Sequence, residues 1–282
     1  MSTRRGILSR ARRNLEGCNQ ECVMNKHAST SKVRPVHGRS LQRPGFSLIE
    51  LLVVMAITGV LTALLVPTLS TIRENANRVI SASNQRTIGQ ALTMYASDHK
   101  DRLPRSRVIE LSNPMPGELM AAHFEHSNTG SQDQRRYQPD YVAGWEGIGL
   151  LYALRYVEGH EVFYCPSHEG EHQSDSYTQA WEEGRGTIYT NYHYSGHKNW
   201  ETGLHRRFAA ADRLVLLTDG LRRRSDLSHR TGLNVLMGDV SVRWHELPTL
   251  LARLPVEDPV GIEVRDHHDL ISDLFNYNGV ID

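Results

Sequence analysis

The sequence is poor in the signatures of catalysis. It has no Gly-x-Ser-x-Gly elbow, no phosphate-cradling glycine loop and no His-Glu-x-x-His pair, so it is not expected to be an enzyme. Cysteine is scarce: three residues in 282, of which Cys18 and Cys22 lie in a basic N-terminal stretch. The Cys18-x3-Cys22 spacing lacks further ligands, and initiation at Met24 instead of Met1 would remove both. Cys165 would then be the only thiol downstream, which excludes an internal disulfide and suggests a buried cysteine. No basic stripe follows residue 45, which argues against a nucleic-acid partner. Residues 1–45 also lack the apolar core of a secretory signal peptide.

Against these absences stands one long apolar run, residues 45–66, which carries a single charge, Glu50. As an α-helix, residues 46–66 rise about 32 Å at about 1.5 Å per residue, close to the hydrocarbon thickness of a bilayer. A carboxylate in such a span costs on the order of 3 kcal/mol on insertion scales and calls for a partner. If the chain were cut after Gly45, Phe46 would carry a new α-amino group, and a neighbouring subunit shifted along the helix would bring that amine to Glu50. The zero net charge is a cancellation, because residues 1–45 carry ten Lys/Arg against two acids and the remainder is correspondingly acidic. A basic segment ahead of a span favours a cytoplasmic N-terminus, which sends residues 67 onward to the extracytoplasmic side of the inner membrane.

The box Gly45-Phe46-Ser47-Leu48-Ile49-Glu50 resembles the class III signal of type IV pilins and type II secretion pseudopilins. The resemblance implies a cytoplasmic leader (residues 1–45) removed by a prepilin peptidase between Gly45 and Phe46, with N-methylation of Phe46. It also implies that Glu50 guides assembly with other pilin-like subunits, and that Pro67 is the family's helix-bending proline. Past Pro67, Leu69, Ile72, Ala76, Val79, Ile80, Ser83, Ile88, Ala91, Leu92 and Tyr95 recur at three- and four-residue spacing. One long helix over about 46–97 is therefore expected, half in lipid and half packed on a domain, with Pro67 bending but not ending it.

Residues 98–116 read as an irregular connection, 127–140 as a polar loop, and 147–157 as a short helix followed by an extended piece at 162–166. Strands are expected at 188–194, 214–218, 234–237 and 241–244, with Gly238-Asp239 as a hairpin turn and Val240 disturbing it. The fold class is α+β: a long N-terminal transmembrane and amphipathic helix packed on a small antiparallel-sheet head, residues 98–246, with a tail at 247–282. Residues 83–99, 149–167 and 188–244 also resemble a group of prepilin-like proteins abundant in planctomycete-type bacteria. That group carries a His and an Asp separated by nine residues, matched here by His229 and Asp239.

Two readings of His229 and Asp239 are open. In one, Asp239 bonds turn amides and His229 ties the preceding loop to that turn. In the other, Asp219 joins Asp239 in an oxygen-rich calcium site; otherwise no cofactor is expected. His168 with His172, and His193 with His197, have a four-residue spacing that suits zinc only on a helix, and are expected to be surface histidines. The functional expectation is a pseudopilin-like structural subunit of a type II secretion or type IV pilus-like filament. The competing reading is a tethered exported domain that uses the leader without polymerising. Mass and N-terminal peptide mapping of the membrane-extracted protein should find the chain beginning at methylated Phe46; a retained leader would show that the box is not used.

Overall fold

The computed structural model describes residues 45–106, 119–124, 142, 144–199, 204–211, 213–229, 231–246 and 254. The expectations for the leader, for residues 127–140 and for nearly all of the tail lie outside them. By internal contacts the chain divides between Val54 and Met55.

Helix α1, Leu48–Asp98, runs 51 residues and passes through Pro67 without a break. It is followed by β1 (Ala121–His123), α2 (Gly149–Ala153), α3 (Thr178–Glu183), β2 (Ile188–Tyr189), β3 (Tyr192–Tyr194), β4 (Val215–Asp219), β5 (Gly232–Met237) and β6 (Val242–Glu246). The strands form an antiparallel pair, β1-β2, and a four-stranded antiparallel sheet in the order β3-β4-β5-β6. Together they make the α+β, pilin-like arrangement. β4 and β5 are buried along their whole length, whereas β6 is only partly buried and forms one edge of the four-stranded sheet.

The second half of α1 packs on the sheet. Ile88, Ala91, Leu92 and Tyr95 join the core beside Leu151, Phe163, Trp181, Tyr194, Leu217 and Leu236. Gly89 makes close approach feasible, since a Cβ there would stand 2.8 Å from Val240 Cγ1 and 2.9 Å from Leu236 Cδ1. The apolar periodicity read from the sequence divides at this point. Ile88 to Tyr95 face the core, but Leu69, Ile72, Val79 and Ile80 are exposed, and the buried positions one and two turns before Ile88 are Gln85 and Ser81. The face of α1 turned to the sheet is polar there because it meets polar groups on the strands.

Two extended segments differ from expectation. The piece at 162–166 begins as a 3-10 turn, His160–Phe163, followed by Tyr164 in extended conformation. The strand expected over 188–194 is cut at Thr190 and Asn191 into β2 and β3, which belong to different sheets. Side chains cause the break: Thr190 Oγ1 donates to the Met120 carbonyl, and Asn191 Oδ1 accepts from the Cys165 amide at 2.6 Å. Such bonds compete with the backbone ladder. The β5-β6 turn is a three-residue loop, in which Met237 N donates to Ser241 O and Val240 takes φ +64°. This is the type I turn plus left-handed residue that usually calls for Gly, and Val240 instead holds its side chain over Gly89.

Leu92→Ala should lower the stability of the head by about 2–5 kcal/mol, whereas Ile72→Ala should stay within about 0.5 kcal/mol. Thermal unfolding of the detergent-solubilised protein checks both, and equal effects would contradict the assignment of the two faces.

Candidate functional site

A polar cluster sits between α1 and the sheet. Asp219, the last residue of β4, is fully buried. Its Oδ1 accepts hydrogen bonds from Ser81 Oγ and Gln85 Nε2, each at 3.0 Å, and its Oδ2 accepts from the Asn234 amide at 2.6 Å. Ser81 also meets the Tyr192 hydroxyl at 3.2 Å. Burial raises the Asp219 carboxyl above the ordinary carboxylate range, opposed by His229 and by these hydrogen bonds.

His229 stands at the edge of this cluster. Its Nδ1 lies 2.6 Å from Glu74 Oε1 on α1, and its Nε2 lies 3.5 Å from Cys165 Sγ and 3.9 Å from Asp219 Oδ2. A carboxylate on Nδ1 requires Nδ1 to carry a proton and fixes the ring so that Nε2 faces the thiol. Glu74 Oε2 accepts from Ser167 Oγ at 2.8 Å, so one α1 carboxylate holds both the loop after Cys165 and His229. Burial, and next the Asp219 charge, push the Cys165 thiol up to about 12.

This geometry corrects two expectations. Asp219 does not share a site with Asp239: it is grouped with Cys165 and His229. Asp239 is exposed in the β5-β6 turn, where Oδ1 accepts from the Ser241 amide at 2.9 Å and Oδ2 lies 3.7 Å from Arg243. Nor does His229 tie its loop to that turn; its ring nitrogens address Glu74, Cys165 and Asp219. Nine residues separate His229 from Asp239, but β5 lies between them and carries the chain from one end of the sheet to the other. Sequence reasoning missed Glu74, Ser81, Gln85 and Asn234. The one signal available was polar Ser81 and Gln85 at the spacing that continues into Ile88 and Leu92.

At the other end of α1, Glu50 reaches back to its own chain. Its Oε2 accepts from the Ser47 amide at 2.8 Å, and the Leu51 amide donates to the Ser47 carbonyl at 3.2 Å. Ser47-x-x-Glu50 thus supplies the carboxylate half of a capping box, which satisfies an amide that the first turn would leave bare. Gly45, Phe46 and residues 48–66 are exposed along their length. Among the described residues, one helix, α1, is long and apolar enough to cross a membrane. Residues 42–66 match the family model of the prokaryotic N-terminal methylation motif. No curated protein and no solved structure matches the chain. The methylation motif supports a prepilin-type leader and a pilin-like protein, and with the apolar helix it is consistent with a single-pass, membrane-anchored chain. The motif also implies processing by a prepilin peptidase and pilin-like partners in general.

The four paired histidines behind the motif are buried, not on the surface. His193 Nδ1 accepts from the Leu221 amide, His197 Nδ1 from the Ser106 amide, and His168 Nδ1 lies 3.1 Å from the Asp226 carbonyl. His172 meets the Tyr177 hydroxyl at 2.8 Å and Arg222 Nη1 at 3.2 Å. Each ring spends a nitrogen on the fold. Burial, and next the Arg222 charge, hold His172 down at about 4, against an ordinary value of 6.5.

A histidine held below its ordinary value is protonated first in the unfolded chain, so stability present at neutral pH is lost as the pH falls from 6.5 toward about 4. Thermal midpoints should therefore drop across that window, and the drop should shrink in His172→Asn, whose amide can still meet Tyr177. An unchanged slope in the variant would contradict this.

Proposed function

We propose that the chain is a pseudopilin-like structural subunit, made as a precursor, cut between Gly45 and Phe46, methylated on the Phe46 amine and assembled into a type II secretion or type IV pilus-like filament. The observation that carries this reading is the match at residues 42–66 on a helix whose apolar side chains are exposed. In lipid, residues 46–66 hold the subunit in the inner membrane, with the basic leader cytoplasmic and the head outside. On assembly the same residues, extended by Leu69, Ile72, Val79 and Ile80, bury against the helices of neighbouring subunits. The head needs no catalytic chemistry for this role.

Glu50 has two functions in this scheme. In the separate subunit its carboxylate caps the first turn through Ser47 N. In the filament it meets the Phe46 amine of a neighbour, so that two charges costly in lipid neutralise each other.

Glutamine separates the two functions, because it serves in a capping box but carries no charge. Glu50→Gln should keep membrane insertion and processing but lose filaments, and Glu50→Val should do the same. Pelleted filaments from Glu50→Val cells would overturn the proposal, and filaments from Glu50→Gln alone would reduce Glu50 to a cap. Cysteines introduced over residues 50–65 should cross-link into a ladder of oligomers; a monomer would instead indicate a tethered domain.

A further inference from the structure

Cys165, Asp219 and His229 come from three separate segments and offer one sulfur, one oxygen and one nitrogen, all within 4.8 Å of one another and all buried. Structural packing does not require three such ligand atoms to converge. A tetrahedral ion with bonds of about 2.3 Å to sulfur and about 2.0 Å to nitrogen holds those two atoms about 3.5 Å apart. Cys165 Sγ and His229 Nε2 already stand 3.5 Å apart, and His229 Nε2 and Asp219 Oδ2 stand at 3.9 Å. The last pair closes to the about 3.3 Å edge of such a tetrahedron with a small inward shift.

The surroundings also suit an ion. Glu74 holds His229 Nδ1, the carboxylate–histidine arrangement that turns an Nε2 lone pair toward a metal. Ser81 and Gln85 occupy Oδ1 of Asp219, so that Oδ2 faces His229 with one amide bond from Asn234.

We propose that Cys165, Asp219 and His229 bind one zinc-class divalent ion, with Glu74 as the outer partner of His229 and a fourth position left for water. A thiolate and an imidazole select zinc-class ions over calcium, which takes six to eight oxygens. On binding, the Cys165 S–H bond breaks, the sulfur–metal bond forms and the proton leaves to solvent. A nucleophilic Cys-His pair is the less suitable assignment, because the Asp219 carboxylate beside the thiol opposes a free thiolate, whereas a divalent ion neutralises both anions. The ion would join the loops at 165 and 229 to β4 and, through Glu74, to α1.

The test uses the full chain in detergent with Cys18→Ser and Cys22→Ser, so that Cys165 is the sole thiol, stripped with chelator and titrated with Co²⁺. The expected result is one Co²⁺ per chain, a thiolate-to-cobalt charge-transfer band in the near ultraviolet, and displacement by Zn²⁺. Glu74→Gln should keep the band and weaken affinity by about 10–100-fold, while Asp239→Asn leaves both unchanged. A folded chain that takes up no Co²⁺, or takes it up without the sulfur band, overturns the proposal, as does unchanged affinity in Cys165→Ser. Should Cys165→Ser fail to fold, the Glu74→Gln titration decides, and affinity equal to the parent's overturns the proposal. Filament assembly would be untouched by that failure, since no residue of 46–66 takes part.

Discussion

A carboxylate at the end of β4, buried from water, constrains everything packed around it. Asp219 cannot be left bare in the interior, where an unsatisfied charge costs several kcal/mol. Its donors come from Ser81 and Gln85 on α1 and from the Asn234 amide on β5. Those three bonds set the rotation of the helix about its axis and its height along the sheet. Gln85 reinforces the register by donating to the Asn234 carbonyl as well, and Asn234 Nδ2 returns to the Arg78 carbonyl. Apolar contacts alone would tolerate a helix slid by a turn; this network does not.

The consequence for α1 is a change of character along one face. Positions 74, 78, 81 and 85 meet the head as Glu, Arg, Ser and Gln, with Arg78 stacked 3.5 Å over the Trp244 ring. Positions 88, 92 and 95 meet it as Ile, Leu and Tyr. The apolar residues at 69, 72, 79 and 80 are thereby freed from the head and left exposed. Glu74 lies where the polar face begins and reaches both Ser167 and His229, so the loops that carry Cys165 and His229 are anchored to the helix and not only to the sheet.

Much of the fold was legible. The long apolar run, its extension at helical spacing and the short strands at 214–218, 234–237 and 241–244 each express a local period that survives folding. What misled was local pattern read without its partners. The run 188–194 is continuous in β-forming residues, but Thr190 and Asn191 spend their side chains on Met120 and Cys165 and split it. The stripe from Leu69 to Tyr95 is one pattern in sequence and two surfaces in space. The paired histidines were expected on the surface, yet His193 and His197 are buried and each accepts a backbone amide.

The sequence by itself determined the elements that depend on near neighbours: the apolar span with its lone Glu50, the N-terminal methylation motif over residues 42–66, the helix around Pro67 and the hairpin of β5 and β6. Those follow from hydrophobic length, helical period and turn chemistry, all contained within a few residues of chain. Tertiary structure alone decided that Cys165, Asp219 and His229 meet, that Glu74 orients the histidine, and that Asp239 stays apart in its turn. Glu74 and His229 are 155 positions apart, and Ser81 and Asp219 are 138 apart. No local pattern encodes such pairings, because they arise from the register of α1 on the sheet, which is set by hydrogen bonds formed once both are in place.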